Sequence, residues 1–124
     1  MLTIGKCLNR QNEKAEQWLD AVVESYASSA AAFMSEPGEN FSFDAVAQLR
    51  ESQMLFERFR DATAELVYRT GFPSDTGRKY ERAKARFRLT VERARFLLDF
   101  CNHSLSMKIH DAADLTVTDW CRAQ

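Results

Sequence analysis

A chain of 124 residues, 45% apolar and 28% charged with a formal net charge of −1, fits one domain over residues 1–124 and can bury a core without disulfide or metal staples. Four glycines and two prolines exclude a turn-rich β-sandwich, and the apolar content excludes a disordered chain. Three cysteines, Cys7, Cys101 and Cys121, are odd in number and lack metal-type spacing, which predicts a reducing compartment. With no apolar leader in Met1–Lys6 and no stretch long enough to cross a bilayer, the expected location is cytoplasmic.

Breakers divide the chain at Ser35–Asn40 and Thr70–Gly77, leaving three long helical patterns. The first runs from about Asn9 or Asn12 to Met34. Its apolar residues, from Ala15, Trp18, Leu19, Val22 and Val23 through Tyr26 to Ala30, Phe33 and Met34, recur at spacings of three and four. Glu13, Glu16, Asp20 and Glu24 take the other side.

The second pattern begins near Ser42, a good N-cap, and ends at Gly71, where a left-handed glycine followed by Phe72-Pro73 reads as a stop. Val46, Leu49, Leu55, Phe56, Phe59, Ala62, Leu66 and Val67 form a broad stripe that calls for two neighbours. The third pattern starts at Asp75 or Thr76 and runs at least to Leu105. Tyr80, Ala83, Phe87, Val91, Ala94, Leu98, Cys101 and Leu105 form a seam of nearly 3.5-residue period. Thr116–Cys121 reads as a closing turn with Trp120 against the core. The expected fold is therefore all-α: an elongated antiparallel three-helix bundle with a short C-terminal helical tail.

The third helix carries a second apolar stripe, Leu89, Phe96, Phe100 and Met107, on the side opposite its seam, with Leu97 between the two. Either this helix is the centre of the bundle, with the tail folded over the second stripe, or the stripe is an interface with a partner or a second copy.

Charge is unevenly distributed. Residues 1–66 carry net −5, residues 67–97 net +6 and residues 98–124 net −2. Arg78, Lys79, Arg82, Arg86 and Arg93 share one face of the third helix and form a candidate nucleic-acid surface. The competing reading is a solvated face paired with the acidic first helix, and a sequence pI near 6.1 favours it.

Asp99, His103, His110 and Asp114 are spaced for one side of a continuous helix. A bundle metal site needs ligands from facing helices, and the first two helices contain no histidine; the four therefore read as a polar rim, with no metal or cofactor. Phosphate-binding glycine loops, zinc-protease motifs and nucleophile elbows are all missing from the sequence. The expectation is a non-enzymatic protein-interaction module, a small regulator, inhibitor or assembly factor, acting on a protein partner, on a second copy of itself as a homodimer, or on both. Its contact surface would be Leu89, Phe96, Phe100 and Met107, rimmed by Arg82, Arg86, Arg93 and His103. The alternative is a nucleic-acid-binding module using the basic face; a membrane partner is not expected.

Overall fold

The computed structural model describes residues 4–37, 43–71 and 73–104. Among them three helices form an all-α bundle: α1, Ile4–Met34; α2, Ala45–Thr70; α3, Asp75–Ser104. Met107, the closing turn and Trp120 lie outside the described residues.

The helix limits have local causes. α1 starts several residues before Asn12 because Cys7 and Leu8 are buried against Tyr80 and Ala83 of α3, which stabilises the extra turns. Asn12 is not a cap; its Nδ2 donates to the Leu8 carbonyl at 3.1 Å and to the Ala83 carbonyl at 3.2 Å. The cap of α2 is Asp44 rather than Ser42: its carboxylate accepts from the amides of Val46 at 3.0 Å and Ala47 at 3.1 Å, two donors that the first turn otherwise leaves unpaired. Ser74 serves α3 in the same way, accepting from the Gly77 amide at 3.1 Å.

Gly71 ends α2, but not through a left-handed backbone. Its φ is −88° and its ψ −147°. Glycine is needed there because a Cβ would lie 2.7 Å from the Val67 carbonyl oxygen.

α1 and α3 run parallel and α2 runs antiparallel to both. Asn12 meets Ala83, Glu16 meets Arg86 and Tyr26 meets Phe100, whereas Glu24 meets Arg50 and Glu65 meets Arg82. The main core lies between α1 and α3. Ala15, Trp18, Leu19, Val22, Val23 and Ala27 interlock with Phe87, Val91, Ala94, Leu97 and Leu98, so the seam read from the sequence is the seam used.

α2 packs onto this pair differently from its expected stripe. Leu49 joins the core and Val46 and Phe56 reach its edge, but the other buried positions are Gln53, Arg60 and Ala64. The nearly buried Arg60 lies 3.0 Å from Asp61 and 3.8 Å from Glu16, and donates to the buried Thr90 at 3.5 Å. Burying a guanidinium is costly unless carboxylates and acceptors surround it. That requirement fixes where α2 lies on α1 and α3. Leu55, Phe59 and Leu66 consequently stay exposed, contrary to their expected place in the core.

Candidate functional site

The rotation of α3 decides what its second stripe does. Leu97 and Cys101 are buried on the seam side, while Phe96 faces outward. Phe96 and Phe100 line a groove of about 780 Å³ at the end of the bundle where α1 finishes and α2 begins. The groove continues over Tyr26 and Phe33 of α1, Phe43 just before α2, and Leu49 of α2. Phe43 and Phe96 are more than half exposed. The rings of Phe100 and Tyr26 stack, 6.1 Å apart and 3° from parallel, so this wall is fixed rather than loose.

Arg93 is the groove's cation. It donates to Gln53 Oε1 at 3.2 Å and Ser52 Oγ at 2.8 Å, and its guanidinium lies 5.4 Å from the centre of the Phe56 ring. Those contacts hold it along α2. Burial lowers its pKa, and burial is also the largest reason that the Tyr26 phenol titrates higher than usual. Burial pushes the Cys101 thiol up to about 11, so this free cysteine is a small apolar core residue and no nucleophile. Cys7, by contrast, is disulfide-bonded.

The expected contact set is thus divided. Phe96, Phe100 and Arg93 meet in one groove. Leu89 is half-buried on α3. Arg82 and Arg86 belong to a second groove of about 1090 Å³ at the other end of the bundle, among Glu16, Asp61 and Glu65. Met107 and the His103 side chain lie outside the described residues. Phe33, part of the apolar pattern of α1, is exposed at the groove rather than buried in the core, and Phe43 belongs to none of the sequence patterns. The signal for Phe43 was its place next to the α2 cap, where an aromatic commonly folds onto the first turn.

The cations of the alternative nucleic-acid face are drawn onto the protein itself. Arg78 and Arg82 lie over the Tyr68 ring, 5.4 and 4.4 Å from its centre. Lys79 pairs with Asp75 at 3.0 Å, Arg82 approaches Glu65 at 3.7 Å, and Arg86 pairs with Glu16 at 3.1 Å and Asp61 at 3.6 Å. With Arg93 bound to Gln53 and Ser52, all five have partners within the bundle. Among the described residues no group of three His, Cys, Asp or Glu side chains is placed to hold a metal, and no helix is long and apolar enough to cross a membrane.

A family model described as "Lysozyme inhibitor LprI" matches residues 1–97, which takes in α1, α2 and most of α3, including Arg93 and Phe96. No curated protein and no solved structure matches the chain.

Proposed function

This chain belongs to the lysozyme inhibitor LprI family, and from that premise we propose that it inhibits a lysozyme by binding it stoichiometrically through the aromatic groove of Phe33, Phe43, Phe96 and Phe100. A lysozyme cleaves glycosidic bonds with carboxyl groups set in a cleft, so a protein that covers the cleft stops the reaction without chemistry of its own. The observation that carries this reading is an apolar groove, with Arg93 at its wall, whose lining residues except Phe100 fall inside the span matched by an inhibitor family. Aromatic side chains beside arginine are the composition of energetic centres in protein interfaces. The disulfide at Cys7 supports a proposed location in an oxidising compartment, where wall-degrading enzymes act.

The direct test is cell-wall lysis by a lysozyme titrated with the full chain, read beside calorimetric binding. Lysis should fall to its floor near one equivalent, with no loss of the inhibitor over time. Unchanged lysis together with no measurable binding, across lysozymes of different classes, would overturn the reading.

A further inference from the structure

The outer face of α2 holds a stripe that neither the core nor the groove uses. Leu55, Phe59, Ala62 and Leu66 are exposed and spaced four, three and four residues apart, the interval of a coiled-coil seam. They lie about 140° around the helix from the inward positions Leu49, Gln53, Arg60 and Ala64. One flank of the stripe is charged in alternation: Glu51, Arg58, Glu65, Arg69. The opposite flank is Ser52, Phe56 and Thr63 and carries no charge.

We propose that this face pairs two copies of the chain, α2 against α2, in an antiparallel two-fold arrangement. Setting Phe59 against Ala62 of the second copy, and Leu55 against its Leu66, brings the two charged flanks together with their order reversed. Arg58 then lies beside Glu65 of the second copy and Glu51 beside its Arg69, and the two-fold axis repeats both pairs. A parallel pairing instead sets the charged flank against the uncharged one and neutralises nothing. Glu65 binds Arg69 at 3.1 Å within its own helix and is approached by Arg82 of α3 at 3.7 Å; it remains half-exposed beside the stripe, where the second copy's Arg58 arrives. The apolar seam spans only about 17 Å of helix, which places the interface at the small end of specific contacts and makes the dimer reversible.

Sedimentation equilibrium of the full chain between about 10 μM and 1 mM tests this, the range being that of small reversible interfaces. The expected result is a monomer–dimer equilibrium that Phe59→Glu weakens at least about tenfold. Phe59 is already exposed, so the variant should keep its helical signal and melting temperature. Arg58→Glu should weaken dimerisation, and the double exchange Arg58→Glu with Glu65→Arg should restore it, because the reversed charges again meet across the two-fold axis. A monomer throughout the range, a dimer unaffected by Phe59→Glu, or a failed charge exchange in a folded protein would each overturn the proposal. The lysis assay is read separately, so absence of a dimer leaves the inhibitor reading standing and absence of inhibition leaves the dimer standing.

Discussion

Arg86 of α3 donates to Glu16 of α1 across 3.1 Å. The same guanidinium lies 3.6 Å from Asp61 of α2, and Glu16 and Asp61 are both also approached by Arg60. The basic segment and the acidic helices, opposite in net charge along the sequence, are therefore halves of one internal network. Its cations serve the three-helix packing, which leaves a phosphate backbone little to neutralise.

Two substitutions separate the buried and surface parts of this network. Arg86→Ala should cost at most about 1 kcal/mol, because its ion pairs are partly exposed and screened. Arg60→Ala should cost about 2 kcal/mol or more, since it removes a buried side chain and strips Glu16, Asp61 and Thr90 of a partner. Urea midpoints at constant m-value measure the difference. Equal costs would show that the burial of Arg60 adds nothing.

Phe96 tests the groove. At 63% exposure it contributes little to the core, so Phe96→Asp should leave the thermal midpoint nearly unchanged. It should weaken lysozyme binding at least about tenfold, mainly through faster dissociation. Arg86→Ala, in the other groove, should leave binding nearly unchanged. Surface plasmon resonance with a melting curve for each variant checks both points, and an unfolded Phe96→Asp would return the stripe to the core.

Gly71→Ala should destabilise the protein by about 1–2 kcal/mol. Nothing flexible stands in the way of the new methyl group; the obstacle is the Val67 backbone carbonyl, and moving it disrupts the last turn of α2. A thermal midpoint unchanged by the substitution would show that the α2–α3 corner yields freely.

Cys101 gives a pH signature. Its thiol keeps its proton to about 11 in the folded protein, whereas an unfolded thiol loses it near pH 8.5. Between those values the unfolded state binds fewer protons, so stability should fall as pH rises, by at most about 1.4 kcal/mol per pH unit from this group. Cys101→Ala should flatten that slope while opening a small cavity. Alkylation at pH 8 should be more than about a hundredfold slower in the native protein than in denaturant, because the thiolate fraction differs by that factor.

The three helices and the seam of Phe87, Val91, Ala94, Leu98 and Cys101 are legible in the residue order, since a period near 3.6 and the breakers around Pro37 and Pro73 are local properties of the chain. The residue order also carries the opposition between an acidic first half and a basic third helix. Tertiary structure alone decided which apolar face α2 turns inward. Hydrophobic periodicity registers that Leu55, Phe59 and Leu66 share a side with one another, but not that the opposite side, with Gln53 and Arg60, meets the carboxylates and hydroxyl able to hold it. The same holds for Phe96 and Phe100: their spacing marks a second stripe on α3, and only the course of α1 and α2 past that helix leaves it open as a groove. An isolated helix has no information about its neighbours' surfaces, and those neighbours set the cost of burying each face.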